Sequence, residues 1–193
     1  MGQRKRTRDW NQLIITIATV VFACTALVTV LLTLSSWRAG REAARPYLTF
    51  KESPTVDLKN GVNIELKFIN VGEHPANNLW SKTFVMAQAL NAPPVLTWQH
   101  SLVNDIPKNT STSLVIVPET SKINPNQGNL PAHYIVVFLK YEDPIIRKLY
   151  AQEIYLRWNG VSAGKPQPIF HVEVEEKHNI LKYFDIQKIN NGS

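Results

Sequence analysis

Residues 13–34, LIITIATVVFACTALVTVLLTL, run without one charged side chain, and the reading of that run decides the architecture of everything after it. A helix rises about 1.5 Å per residue, so this one reaches about 33 Å, against a hydrocarbon core about 30 Å thick. Trp10 and Trp37 bracket it, where amphipathic rings favour the headgroup layers. Arg4, Lys5, Arg6 and Arg8 precede it and Arg38, Arg41 and Arg45 follow it, so sliding either way drags charge into hydrocarbon. The expectation is one transmembrane helix over residues 13–36, anchored in membrane lipid by Trp10, Leu13, Leu34 and Trp37. A surface-packed helix would carry a polar stripe, and the apolar core of a cleaved signal peptide is only about 7–15 residues long.

Four basic residues lie before the run and three follow it closely. The positive-inside rule then makes residues 1–12 a basic cytoplasmic tail of an inner (plasma) membrane protein. Residues 37–45 become a juxtamembrane linker, and the rest of the chain lies outside the cytoplasm. Of the net charge of +6, residues 1–45 hold +5 and residues 46–193 only +1. The basic character thus belongs to the membrane flanks, and no nucleic-acid partner is expected. Cys24, the single cysteine, lies inside the apolar run, which excludes disulfides, thiolate metal sites and a cysteine nucleophile from the remainder. Small residues at Ala18, Thr19, Ala23, Ala26 and Thr29 permit helix contact, but without GxxxG they specify no oligomeric state.

From Pro46 the texture changes to short runs of strand formers separated by Pro, Gly, Asn and Asp, which predicts a mainly β domain over residues 46–174. Val62 to Phe68 alternates most clearly, with Val62, Ile64, Leu66 and Phe68 on one face. Asn60-Gly61 signals a tight turn after a strand at Tyr47 to Lys51. A third strand is expected from Leu79 to Gln88, with Trp80, Phe84 and Met86 on one side and a short helix as its alternative. Val95 to Trp98 and Leu114 to Val117 are brief strands, and residues 118–131 form a long loop. His133 to Tyr141 and Leu149 to Trp158 pair through Glu142-Asp143-Pro144 as a hairpin splayed by Ile145 and Ile146. Pro166 to Pro168 reads as a linker and Ile169 to Val174 as a last strand. Residues 175–193 form an amphipathic helical tail, with Ile180, Leu181, Phe184 and Ile189 on its apolar side, free to dock on the domain, a partner or lipid. Seven or so strands require two packed sheets, since one sheet would leave an apolar face in water. The expected fold is an immunoglobulin-like β-sandwich, with a small closed barrel as competitor.

Phe68-Ile69-Asn70-Val71-Gly72 followed by Pro75-Ala76 resembles the N-x-G…P-A strand-turn signature of CARDB-like, immunoglobulin-like bacterial envelope domains. The wider layout resembles small bacterial single-pass membrane proteins in which a basic tail and an apolar helix precede an ARPY stretch, here Ala44-Arg45-Pro46-Tyr47. The resemblance implies a β-sandwich on a membrane tether and no catalytic residues. Where such relatives often carry Asp-x-Phe-Gly in the late hairpin, this chain has Asp143-Pro144-Ile145-Ile146.

His74, His100, His133, His171 and His178 are the side chains an enzyme would have to use, and none is spaced like a metal site. Nucleophile elbows, phosphate loops and dinucleotide fingerprints are absent from the sequence, so no catalytic residue, metal or cofactor is expected. Trp80, Trp98 and Trp158 with Tyr134, Tyr141, Tyr150 and Tyr155 either fill the core or line a binding face. The leading expectation is a non-enzymatic bitopic membrane protein presenting its β domain to a protein partner in the cell envelope, through the edge strand Tyr47 to Lys51 or the tail. The alternatives are a small structural subunit of a larger membrane complex, or a ligand-binding subunit with a shallow polar site near His74 and Glu73. The last requires His133, Asp143 or another titratable group within hydrogen-bond reach of His74.

Overall fold

The structure is a computed structural model that describes residues 3–58, 62–117 and 128–191. The Asn60-Gly61 turn and most of the 118–131 loop lie outside the described residues. The chain divides into two compact units, residues 1–44 and residues 45–193.

The first unit is α1 (Gln3–Ala43). Residues 37–43, read above as linker, continue the helix. Ala39, Arg41, Glu42 and Ala43 are strong helix formers, and the first breaker is Pro46, whose ring disfavours helical geometry at Arg45. Residues 10–43 are long and apolar enough to cross a membrane, and none of that stretch is buried by the rest of the chain. All five threonines of the apolar run turn their hydroxyls back on the helix. Thr16, Thr19, Thr25, Thr29 and Thr33 each donate to the carbonyl four residues earlier at 2.8–2.9 Å, leaving no side-chain donor of theirs in need of water.

The second unit is mainly β. Its first sheet is built on β3 (Asn63–Asn70), whose alternate residues are buried as its period-two pattern predicts. β6 (Ser111–Ile116) takes one edge of β3, and the other edge is shared by β1 (Leu48–Phe50) and β2 (Thr55–Asp57), all antiparallel. Phe50 pairs with Phe68 and Thr55 with Glu65, so four residues oppose two. The edge strand is therefore broken at Lys51–Pro54, where proline removes a ladder donor.

The second sheet has the order β11-β8-β7-β4-β5, from β4 (Asn77–Ala87), β5 (Leu96–Leu102), β7 (His133–Asp143), β8 (Lys148–Trp158) and β11 (Ile169–His171). The β7–β8 hairpin pairs without a break from His133↔Trp158 to Asp143↔Lys148, so its ends are not splayed. Asp143 Oδ1 accepts from the backbone N–H groups of Ile145 and Ile146 at 2.9 and 3.3 Å, and Arg147 takes positive φ, closing a four-residue turn. The Pro166 to Pro168 linker is instead part of a two-residue hairpin, β9 (Val161–Ser162) and β10 (Lys165–Pro166), whose loop Ala163-Gly164 has positive φ at both positions.

Ile64, Leu66 and Phe68 from the first sheet share one cluster with Val85, Ile135, Val137, Leu139, Leu156 and the fully buried Trp158 from the second. Each such side chain contributes about 1.5–3 kcal/mol by leaving water. A second cluster lies on the opposite face of the larger sheet, under α2 (Val174–Asn191). Ile180 and Tyr183 are buried there and Phe184 packs against them. Leu181, assigned above to the apolar side, is 40% exposed: at about 100° per residue, positions 183 and 184 return to the face of Ile180 and position 181 does not. Ile189 lies beyond the described side chains. The tail thus docks on the domain, starting at Val174 rather than after a strand reaching it. Being covered on both faces is why β7 reads Tyr-Ile-Val-Val-Phe-Leu without alternation.

Candidate functional site

The N-x-G…P-A stretch folds into a polar knot. Asn70 is fully buried, yet its amide is satisfied at both ends. Oδ1 accepts from the N–H groups of Tyr47 (3.1 Å) and Gly72 (3.0 Å), and Nδ2 donates to the carbonyls of His74 (2.8 Å) and Ile106 (3.0 Å). One side chain therefore ties the first strand, the turn and a distant loop together. Ala76, also fully buried, exchanges both backbone bonds with Ile106. A Cβ on Gly72 would stand 2.2 Å from the carbonyl oxygen of Arg45 and 2.7 Å from Pro46 Cα, so glycine is required by close backbone approach. The carbonyl of Pro46 accepts from the Tyr141 hydroxyl at 3.4 Å. The residues that carry the family resemblance therefore meet in space.

His74 leaves this knot with Nδ1 2.6 Å from Oδ2 of Asp143, a fully buried carboxylate. Asp143 is the partner that a site around His74 requires, and sequence spacing alone could not have paired them across 69 residues. His133 is not part of it. It stands at the other end of the eleven-residue β7, about 33 Å from Asp143 at the rise of a strand. There its Nδ1 donates to the Pro131 carbonyl at 2.8 Å and its ring lies 5.9 Å from that of Trp158. Burial holds the His133 imidazole below its usual range, against the opposing pull of that carbonyl. Glu73 is paired with Lys108 at 2.5 Å, His171 lies against Phe50, and His100 and His178 are exposed. Among the described residues no group of three or more His, Cys, Asp or Glu side chains is placed to hold a metal.

The aromatic set divides. Trp158, Tyr134, Tyr141 and Tyr155 are buried, and Trp98 and Tyr150 pack partly buried against the core. Trp10, Leu13, Leu34 and Trp37, expected from the sequence to anchor the helix, are 62%, 52%, 45% and 59% exposed on α1, with Arg41 4.8 Å over the Trp37 ring. A groove that the sequence did not announce, about 320 Å³ in volume, runs between Tyr47, Thr49 and Phe50 on one side and β8, Val172 and Lys177 on the other.

α2 is held at its start by charge. Glu176 accepts from Arg157 at 2.7 Å, from the Tyr134 hydroxyl at 3.3 Å and from the Glu173 N–H at 2.9 Å. Burial pushes its carboxyl up, but the Glu173 amide and the Arg157 guanidinium outweigh that and hold it below the usual carboxylate range. The folded form binds this proton less readily than the unfolded chain does. The contribution is therefore fully present above the unfolded carboxylate range and is lost as pH falls through the lower folded value. The protection factors of the α2 amides, after correction for intrinsic exchange, are expected to fall as pH drops through the folded value of Glu176, and Glu176→Gln is expected to remove that step while costing about 1 kcal/mol.

No curated protein matches the chain. Residues 13–162 match the family model described as Domain of unknown function (DUF8453), a span that takes in the apolar run, the polar knot and the β7–β8 hairpin, and the chain belongs to that family.

Proposed function

We propose that the protein is a single-pass, membrane-anchored module in which α1 is the anchor and residues 45–193 form an immunoglobulin-like β-sandwich used for protein contact at the cell envelope. The observation that carries this reading is the charge-free 13–34 stretch, exposed along its length, with all five threonine hydroxyls satisfied inside the helix. Such a segment is at ease in hydrocarbon, where backbone and side-chain donors have no water to turn to. The sandwich reading draws on two antiparallel sheets sharing one apolar cluster and on the likeness of residues 68–76 to CARDB-like domains. A binding role is favoured over catalysis because the buried polar groups near His74 are consumed in holding the fold. Asn70 uses its whole amide for backbone contacts, and Asp143 caps a turn while it holds His74.

The full chain is expected to stay in the membrane pellet after alkaline carbonate extraction. Protease added outside intact cells should cut it beyond Arg38 and spare an epitope placed before Trp10. Recovery in the aqueous fraction would remove the anchor, and cleavage of the N-terminal epitope would reverse the orientation. The His74–Asp143 pair favours a second reading, a small polar ligand site. His74→Ala with undiminished partner crosslinking and unchanged ligand-induced thermal shifts would dismiss it.

A further inference from the structure

We infer that the tip of the β7–β8 hairpin, Pro144 to Leu149, docks in the headgroup layer of the bilayer that holds α1, with Ile145 and Leu149 immersed and Arg147 and Lys148 on anionic lipid phosphates. Ile145 is 49% and Leu149 76% exposed at this tip, and Val71 on the adjoining turn is 47% exposed. The turn is held in the shape that presents them. Fully buried Asp143 clamps it from beneath through the N–H groups of Ile145 and Ile146 while its other oxygen holds His74, and the ladder runs unbroken to Asp143↔Lys148. Pro144-Ile145-Ile146-Arg147-Lys148-Leu149 contains two cations and no carboxylate. Of the acidic groups around it, Glu142 accepts from Asn78 and Glu73 pairs with Lys108. The exposed Asp105 of the neighbouring loop is outnumbered by Arg45, Arg147 and Lys148, which are exposed as well.

A lipid surface fits this tip better than a protein surface does. Lys148 and Leu149 are consecutive in β8 and so point to opposite faces of the sheet. A partner seated on one face meets one of them, whereas a bilayer surrounds a penetrating tip and meets both. Interfacial segments sink about 5–10 Å, enough to cover the turn and the one strand step of about 3.3 Å that separates Leu149 from Lys148. Chain length brings the bilayer within reach. The 45–193 unit begins beside this hairpin: the Arg45 guanidinium lies 5.5 Å over the Tyr150 ring, the Pro46 carbonyl accepts from the Tyr141 hydroxyl, and Tyr141 pairs with Tyr150. From Trp37 the helix rises about 9 Å to Ala43, and two further residues add at most about 7 Å. Arg45 therefore lies within about 16 Å of the ring expected in the headgroup layer. Ile145 follows Tyr141 by four residues, a reach of about 13 Å at the rise of a strand.

The inference rests on the anchor reading, and one preparation tests the two separately. Full-length protein is reconstituted in vesicles of phosphatidylcholine and phosphatidylglycerol, carrying a single environment-sensitive fluorophore. The label sits on the native Cys24 or, in Cys24→Ala, on Ile145→Cys or Ser162→Cys, the last an exposed position past the opposite end of β8. Labels at 24 and 145 are expected to be quenched by nitroxide-bearing lipid, and acrylamide is expected to quench the 145 label at least about threefold less than the 162 label. Arg147→Glu with Lys148→Glu is expected to return the 145 label to water, because each cation near an anionic surface strengthens docking about fivefold. An unchanged thermal midpoint in detergent shows that this variant folds. A 145 label as open to acrylamide as the 162 label, with Cys24 shielded, overturns the docked tip and keeps the anchor. Shielding at 145 without quenching by lipid assigns the tip to a protein surface, a second copy included, and overturns it as well, as does shielding that survives the double charge reversal. A Cys24 label open to water removes the anchor itself.

Discussion

Asn70→Ala is expected to lower the thermal midpoint of the 45–193 unit by roughly 6–12 °C, the largest effect of any single polar substitution in it. The change strands two N–H groups, of Tyr47 and Gly72, and the carbonyl of His74, and it takes one of two donors from the Ile106 carbonyl, which keeps its bond from the Ala76 N–H. A buried polar group without a partner costs about 1–3 kcal/mol, and partial rearrangement leaves a net loss of about 3 kcal/mol. For a domain of this size each kcal/mol moves the midpoint by about 2–4 °C. Asn70→Asp should be no gentler at neutral pH, since the carboxylate keeps both acceptors yet meets the carbonyls of His74 and Ile106 with no donor. Thermal melts of both variants, followed by circular dichroism, check this. A midpoint within a degree or two of the parent for Asn70→Ala would mean the knot is not needed for stability.

The second large effect is expected from Gly160→Ala. Gly160 has φ +77°, and a Cβ there would lie 2.1 Å from the Leu130 carbonyl oxygen and 2.5 Å from that of Pro131. A side chain strains the backbone at that φ by about 1 kcal/mol, and the overlap is with backbone that cannot swing aside. The neighbouring Leu130↔Val161 bridge, bonded in both directions at 2.9 and 3.1 Å, must open to relieve it. A total loss of about 3 kcal/mol or more is expected, read as a lower midpoint together with faster exchange of the Leu130 and Val161 amides. Gly164→Ala is the control: its φ is also positive, but nothing lies within 4 Å of the added carbon, so its loss should stay near 1 kcal/mol.

What was legible in the sequence followed periodicity. Residues 62–68 alternate because one face of β3 meets the core and the other does not, and residues 13–34 announce themselves by the absence of charge. Periodicity failed where an element is covered on two sides. β4 buries Leu79, Ser81, Thr83 and Val85 against one layer and Met86 against another, so the apolar set of Trp80, Phe84 and Met86 described only half of its environment. Short strands such as β2 and β9 exist because a neighbour offers hydrogen bonds, which local composition does not reveal. The N-x-G…P-A stretch was visible as a turn, but Asn70's grip on Tyr47 and Ile106 is a long-range fact. So is the pairing of His74 with Asp143.

The order of the larger sheet also dictates when the body can close. β4 lies between β5 and β7, and its partner β7 begins 46 residues after β4 ends. β1, β2 and β6 find their partner in β3 and β5 finds its partner in β4, but the second edge of β4 must wait, during synthesis, for the β7–β8 hairpin to leave the ribosome. That hairpin is built from near-neighbour pairs and forms quickly once made, whereas docking β4 onto it closes a long loop. A nascent chain halted before His133 holds half a hydrophobic interior with nothing to cover it, and belongs with chaperones until the remainder arrives.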